Sequence, residues 1–109
     1  MLNSVNLIGR IANEIEVKEL EKGKVTTLSV AVPRSYKNKD GEYETDFIEC
    51  TIWNELAGRV KEFCKKGDLI AIAGRLSTET YSDKEGNNRK AYKVIAEKVT
   101  FLQPKKTEE

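Results

Sequence analysis

The feature that most constrains this chain is a run of alternating side chains from Asp46 to Trp53. In an extended chain, successive side chains point to opposite sides. One side of this run is aliphatic and small, and the other side carries two rings, a carboxylate and a hydroxyl. The first set is Ile48, Cys50 and Ile52, and the second set is Phe47, Glu49, Thr51 and Trp53. The pattern predicts a half-buried β-strand whose rings face away from the core.

Four further stretches show the same alternation, and one stretch between them has helical spacing. The predicted strands are residues 3–11, 24–32, 45–53, 68–81 and 90–102. Pro33 is expected to end the second strand or force it to an edge, with a polar loop over residues 35–44. The predicted helix begins after a cap at Asn54 and ends at Lys65-Lys66-Gly67. Its apolar stripe is Leu56, Val60, Phe63 and Cys64.

Two glycines, Gly9 and Gly74, fall inside predicted strands rather than at turns. Glycine inside a strand typically marks a bulge or a sharp bend. Bent strands in the order three strands, helix, two strands are typical of an OB-fold. The sequence therefore predicts an all-β protein, a five-stranded Greek-key barrel with one helix between the third and fourth strands. Residues 1–102 form the predicted domain, and residues 103–109 form a short polar C-terminal tail.

Composition excludes several classes of protein. The chain has 109 residues, with 19 basic and 18 acidic side chains and no histidine. Without histidine, neither a Ser-His-Asp nor a Cys-His nucleophilic site can form. Cys50 and Cys64 are too far apart for a redox pair and too few for zinc, so both are interpreted as reduced packing residues. We therefore expect no enzyme activity, no metal and no cofactor.

No stretch of the chain is long and apolar enough to span a membrane, and the first residues do not resemble a signal peptide. The expected location is therefore the cytoplasm, in association with the nucleoid. The net charge of +1 does not by itself indicate a nucleic-acid ligand. Any attraction for phosphate must come from local clusters of basic side chains.

The aromatic side chains suggest what the polar face binds. Phe47 and Trp53 share the strand face opposite the aliphatics, and Tyr36 and Tyr81 lie in or beside polar loops. Rings on a polar face are typical of surfaces that stack on nucleic-acid bases. We interpret these four as base-stacking residues. The remaining rings are interpreted as core (Phe63 and Phe101) or as loop or core packing (Tyr43 and Tyr92).

Basic residues near the four rings are candidates for phosphate contacts. They are Arg10, Arg34, Lys37, Lys39, Arg75, Arg89 and Lys90. A row of carboxylates also occurs in the loop before the third strand. Solvated hairpin charges explain that row better than a metal site does. The row is Asp40, Glu42, Glu44 and Asp46.

Several short motifs, in order along the chain, together resemble the bacterial and phage single-stranded DNA-binding protein (SSB) family. They are Asn6-Leu7-Ile8-Gly9-Arg10, Leu28-Ser29-Val30-Ala31-Val32, Asp46-Phe47-Ile48-Glu49-Cys50, Lys66-Gly67-Asp68 and Ala73-Gly74-Arg75-Leu76. The resemblance covers nearly the whole chain. It implies that the four base-stacking positions of the family fall on Tyr36, Phe47, Trp53 and Tyr81. It also implies a homotetramer assembled through the first strand and the sheet face that this strand joins.

Two departures from the family pattern stand out. Asn54 and Glu55 follow Trp53, where many members have a basic residue. Many members also carry a long tail with an acidic, apolar tip that recruits replication and repair enzymes. This chain ends at Lys105-Lys106-Thr107-Glu108-Glu109, which fits either a tailless form or a truncated chain. Recruitment of such enzymes through a tail tip is therefore not expected.

The function predicted from the sequence is to bind and protect single-stranded DNA, with little sequence preference, during DNA replication, recombination and repair. Two alternatives remain open. One is an OB-fold RNA-binding module, whose stacking surface would look similar. The other is an OB-fold protein-interaction subunit of a replisome or primosome, which would favour apolar residues in place of the four rings.

Overall fold

The computed structural model describes residues 1–102, so the predicted tail at residues 103–109 lies outside the described residues. Five long strands, one short strand and one helix make up the fold. In chain order they are β1 (Val5–Ile11), β2 (Lys18–Leu20), β3 (Gly23–Lys37), β4 (Tyr43–Trp53), α1 (Asn54–Phe63), β5 (Leu69–Ser82) and β6 (Asn88–Phe101). The predicted order of three strands, helix and two strands is confirmed, with β2 as a short addition.

The strands form one sheet that closes on itself. The order across the sheet is β1-β5-β6-β4-β3-β2, and β1 also pairs with β3. The pair β4–β6 is parallel, while the other pairs are antiparallel. Closure through β1, combined with the parallel β4–β6 contact, is the Greek-key barrel of an OB-fold. The predicted fold class is therefore confirmed.

The two strand glycines lie where backbones approach closely. In the β5–β6 pair, Ala73 lies opposite Lys98 but Gly74 lies opposite Ala96, so Glu97 is the extra residue of a bulge. A β-carbon on Gly74 would collide with the backbone carbonyl of Ile95. A β-carbon on Gly9 would likewise collide with the carbonyl of Ala31 on β3. Both glycines therefore allow the strands to bend and the barrel to close.

The core fills the inside of the barrel and the space beneath α1. Every long strand contributes aliphatic side chains to it, and α1 adds Ala57 and Val60, both fully buried. The strand members of this core are Ile11, Leu28, Val30, Cys50, Ile52, Ile70, Ile72, Val94 and Ala96, with Ile15 between β1 and β2. Among residues 1–102, no helix is long and apolar enough to cross a membrane.

Of the two outcomes expected at Pro33, the strand does not end there, but Pro33 does lie on an edge, because beyond Ala31 β3 pairs on one side only within residues 1–102. β3 continues through it to Lys37 and pairs with β4 along the way. Pro33 lies opposite Thr45 and Lys37 lies opposite Tyr43, so the register shifts between them. A bulge of this kind tolerates proline, because the strand locally does without a ladder hydrogen bond. Consequently the predicted loop at 35–44 shrinks to a tight turn between two long strands.

The start of α1 also differs from the prediction. Asn54 is the first helical residue rather than the cap, and no side-chain hydrogen bond caps the helix. The backbone of Asn54 has a φ of 60°, in the left-handed region. Asparagine enters that region more readily than most residues. Asn54 therefore acts through its backbone, by turning the chain sharply after β4.

The end of α1 is earlier than predicted. The helix ends at Phe63, with Cys64 already extended, and the left-handed Gly67 belongs to the following turn. Phe63 is 59% exposed, so its interpretation as a core residue was wrong. Ala57 and Val60 fill the inward positions, which leaves Phe63 to contact the ring of Phe101 at 5.8 Å between centroids. Phe101 is partly buried and packs against the core, as predicted.

Candidate nucleic-acid interface

The outward-facing side chains of β4 form the centre of the candidate interface. Their inward neighbours Cys50 and Ile52 are completely buried. On the opposite side, which we call the outer face, Phe47 is 66% exposed. Trp53 lies on the same face, partly buried, about 20 Å further along the strand. The alternation of the sequence thus puts two rings on the solvent side, far enough apart to contact different nucleotides.

The hairpin of β5 and β6 extends the outer face sideways. Thr51 of β4 lies alongside Ile95 of β6, which in turn lies opposite Arg75 of β5. Further along the same hairpin, Tyr81 lies opposite Arg89. Because residues two apart on a strand share a side, Tyr81 and Arg75 belong to the outer face. Tyr81 is 52% exposed, near the hairpin tip.

The fourth predicted ring, Tyr36, lies on the other hairpin. It follows the register shift of β3 and is 65% exposed. The structure thus gathers Phe47, Trp53 and Tyr81 on one sheet face and places Tyr36 on the β3–β4 hairpin beside it. Tyr43 and Tyr92 are 58% and 62% exposed, so neither packs in the core.

The position of Trp53 depends on contacts with β3. Trp53 lies opposite Val25, near the start of that strand. The next residue, Asn54, turns the chain into α1, and its side-chain oxygen rests where a β-carbon of Gly23 would be. Gly23 itself has a φ of 133°, which only glycine adopts readily. Because Gly23 has no side chain, the side chain of Asn54 fits beside it. This contact lies directly after Trp53 and helps to define where β4 ends.

Arg34 is held by two carboxylates of β4. Its guanidinium contacts Asp46 Oδ1 at 2.9 Å and Glu44 Oε1 at 3.0 Å. The hydrogen bond from Arg34 lowers the pKa of Asp46. The same pairing raises the pKa of Arg34. Two of the four carboxylates in the acidic row therefore bind a neighbouring arginine.

Two other predicted phosphate residues also have carboxylate partners. Arg75 Nε lies 3.8 Å from Glu97 Oε2, and Arg89 Nε lies 3.1 Å from Asp83 Oδ2. Asp83 has a lowered pKa, first because the backbone of Asn87 donates a hydrogen bond to it and also because Arg89 does. The cations of these arginines are thus partly neutralised before any ligand arrives.

The remaining phosphate candidates are three lysines of the hairpins and Arg10. Lys37 lies 5.7 Å from the centre of the Tyr43 ring. Lys39 and Lys90 are exposed, and within residues 1–102 no ion pair involves them. Arg10 donates a hydrogen bond to the Gly67 carbonyl at 3.1 Å. Lys37 and Lys39 therefore lie at the end of the β3–β4 hairpin, and Lys90 lies on the β5–β6 hairpin, on the side away from Tyr81.

Arg10 belongs to the outer face through the closure of the barrel. It lies opposite Ala31 of β3, which lies opposite Phe47 of β4. Side chains directly opposite one another share a face of the sheet. Arg10 is therefore two strands away from Phe47 on the same side, about 10 Å across the sheet.

Sequence reasoning missed two basic residues of this face. Lys98 lies opposite Ala73 of β5, on the same side of the sheet as Arg75, and is exposed. The other is Lys93. Its amino group lies 3.1 Å from Glu79 Oε1, and its side chain is only 25% exposed. The available signal was its position, since Lys93 directly precedes the buried Val94 and so must point outward. The sequence does not show that β6 lies beside β4, which is what brings Lys93 close to the rings.

Cys50 and Cys64 are free cysteines, the first buried and the second partly buried. Burial raises the pKa of Cys50 to about 11 and that of Cys64 to about 11. At neutral pH both are thiols rather than reactive thiolates. In the part of the chain that the structure describes, no three potential ligands cluster as a metal site would require.

Comparison with known proteins identifies the family. Residues 2–102 match the model of the single-strand binding protein family. The chain belongs to this family. Single-stranded DNA-binding protein B of Bacillus subtilis (strain 168) is 37% identical over 109 residues, which is 99% of this chain and 96% of that protein.

Other relatives of this family are longer. Single-stranded DNA-binding protein A of Bacillus subtilis (strain 168) is 42% identical over 106 residues, which is 96% of this chain but 62% of that protein. Among solved structures, Plasmodium falciparum SSB in complex with ssDNA superimposes with a TM-score of 0.83. The two share 22% identity over 94% of this chain and 96% of the other, so the likeness concerns the fold.

Proposed function

We propose that this chain binds single-stranded DNA with little sequence preference and protects it during DNA replication, recombination and repair. The observation that carries the proposal is Phe47, a ring left 66% exposed on a strand whose opposite face buries Cys50 and Ile52 completely. An exposed ring on a well-packed strand contributes little to folding, and base stacking gives it a use. Membership of the single-strand binding protein family supports the same ligand.

In the proposed mechanism, bases stack on Phe47, Trp53, Tyr81 and Tyr36, while cations around the outer face contact the backbone. Stacking is tolerant of sequence because every base has a flat π-face. The phosphate contacts come from Arg10, Lys37, Lys39 and Lys90, with Arg34, Arg75 and Arg89 contributing when they exchange a carboxylate for a phosphate. The protein does no covalent chemistry on the strand, and it acts on DNA in the cytoplasm, at the nucleoid.

The proposed assembly is a homotetramer that uses β1 and the sheet face around it. β1 pairs with β3 only at Arg10 and Ile11, so the rest of that edge has no partner strand within residues 1–102. Ile8 is 59% exposed on β1 and lies opposite Ala71 of β5. An open strand edge beside exposed apolar side chains favours contact with a second copy.

A competition titration tests the proposed ligand. Trp53 is the sole tryptophan, so its emission reports on one position of the interface. We expect oligo-dT to quench this emission strongly, because a base stacks on the indole. Oligo-U and duplex DNA should compete more weakly for the same site.

Each other outcome points to a different function. If oligo-U competes as well as oligo-dT, the RNA-binding alternative is favoured. If no nucleic acid changes the emission of Trp53 or binds in a fluorescence-independent assay such as sedimentation, the interaction-subunit alternative is favoured and the proposal is wrong.

A further inference from the structure

Charged side chains fill the outer face between the rings. We call them the charge strip: Glu49, Arg75, Glu79, Lys93 and Glu97. All five are on the side of the sheet that carries Phe47 and Trp53. Four of them lie next to a buried residue, and Glu79 is four residues beyond Arg75 on β5, which places it on the same side. Three are acidic and two are basic, so these five have a formal charge of −1. Lys98 lies beside Glu97, opposite Ala73 on the same side of the sheet, and no ion pair involves it within residues 1–102.

The basic residues of the charge strip are both occupied. Lys93 Nζ contacts Glu79 Oε1 at 3.1 Å, and Arg75 Nε contacts Glu97 Oε2 at 3.8 Å. The third carboxylate, Glu49, immediately precedes Cys50, just as Lys93 immediately precedes Val94 in the parallel pair. Glu49 therefore runs alongside Lys93 from the other strand. Lys93 thus forms an ion pair with Glu79 of β5 and has Glu49 as its neighbour in the register of β4.

This arrangement does not suit a surface that holds phosphate by charge alone. A nucleic-acid backbone crossing between Phe47, Trp53 and Tyr81 must pass over the strip. To contact Lys93 or Arg75, a phosphate has to displace a carboxylate that is already within reach. The displaced carboxylate then stays close on the same sheet face and repels the strand.

We propose that Glu79 and Glu97 determine the affinity of this protein for single strands, by competing with DNA phosphates for Lys93 and Arg75. The inference rests on the proposed function, since it concerns how the same face holds the same ligand. Two consequences follow. Between the rings, binding depends mainly on stacking, and Lys93 and Arg75 add little to the salt dependence while their carboxylates hold them, so that dependence comes mainly from cations outside the strip.

The bulge of β6 explains why Glu97 can reach Arg75. Glu97 is the extra residue between Ala96 and Lys98, so it has no direct partner on β5. Its side chain is 63% exposed, and Arg75 is 50% exposed. The bulge opposite Gly74 thereby places the Glu97 carboxylate beside Arg75. Fold closure and ligand affinity are coupled at this point.

The test removes each carboxylate's charge while keeping its shape. Glu79→Gln and Glu97→Gln are compared with Glu62→Gln, an exposed residue of α1 with no ion pair within residues 1–102. All three variants change the net charge equally. Affinity for oligo-dT is measured by titration across a range of salt, and thermal melting checks that each variant folds.

We expect Glu79→Gln and Glu97→Gln each to raise affinity at low salt by roughly two- to fivefold over Glu62→Gln, the strength of an exposed ion pair. Each should also steepen the salt dependence by up to about 0.7 in the log–log slope, one phosphate's share on a single strand. The gain should fade at high salt, where the freed cation is screened.

A double variant tests the competition itself. In a Lys93→Gln background, Glu79→Gln should no longer steepen the log–log salt slope, because the cation that it would free is gone. Any remaining gain in affinity over Glu62→Gln then comes from removing the repulsion between the unpaired carboxylate and the DNA. A slope that steepens equally with and without Lys93 would contradict the competition. If Glu79→Gln and Glu97→Gln match Glu62→Gln while the parent chain binds oligo-dT, the inference is wrong and the proposed function stands. If the parent chain does not bind oligo-dT even at low salt, the proposed function itself fails.

Discussion

Replacing Phe47 with alanine separates the cost of folding from the cost of binding. The ring is 66% exposed, so about one third of it contributes to packing. Burying a whole phenylalanine side chain stabilises a protein by about 1.5–3 kcal/mol, so this ring contributes only about 0.5–1 kcal/mol to folding. Losing one base–aromatic stack costs about 1–3 kcal/mol of binding, which weakens Kd by roughly 5- to 150-fold.

The measurement uses two assays on one variant. Urea denaturation gives the free energy of unfolding of Phe47→Ala, and quenching of Trp53 by oligo-dT at fixed salt gives the Kd. The variant keeps Trp53, so the fluorescence signal is preserved. We expect a small decrease in the free energy of unfolding and a large decrease in the affinity for oligo-dT.

Tyr92→Ala is the matched control. Tyr92 is 62% exposed but lies opposite Thr78, on the side of the hairpin that continues the core face. Its removal should change Kd by less than about twofold, the size of an ordinary surface substitution. The assignment of the outer face would be refuted if Phe47→Ala bound DNA normally, or if Tyr92→Ala lost as much affinity as Phe47→Ala.

Two further predictions concern the barrel and its assembly. Gly74→Ala should destabilise the fold by about 1–3 kcal/mol, because the new β-carbon would collide with the Ile95 carbonyl. Gly58→Ala is the control. A β-carbon at Gly58 of α1 meets open space, so this change should stabilise the fold by up to about 1 kcal/mol. Urea denaturation of both variants checks this, and equal effects would contradict it. Ile8→Lys should lower the mass of the assembly in sedimentation without unfolding the barrel, because it places a charge at the proposed contact; an unchanged mass would exclude β1 from the interface.

Side-chain alternation was sufficient to predict which way the residues of β4 point. A strand has a period of two, so the position of Cys50 in the core and of Phe47 in solvent follows from local sequence alone. The order of strands and helix and the two strand glycines also predicted the barrel, because each can be recognised from a short stretch of sequence. These parts of the fold and of the candidate interface could be derived without coordinates.

What lies beside each side chain was decided only by the tertiary structure. Lys93 and Glu79 come from different strands, and the bulge at Glu97 shifts the register that brings Arg75 its partner. Pro33 remains inside β3 because β4 pairs with β3 on both sides of it, with a register shift between Pro33 and Lys37. Alternation sets the face of a residue but says nothing about its neighbour across the sheet, because register depends on turns and bulges far along the chain. For this protein, the sequence therefore determined the rings and the face they share, whereas the pairing of strands decided which charges lie between them.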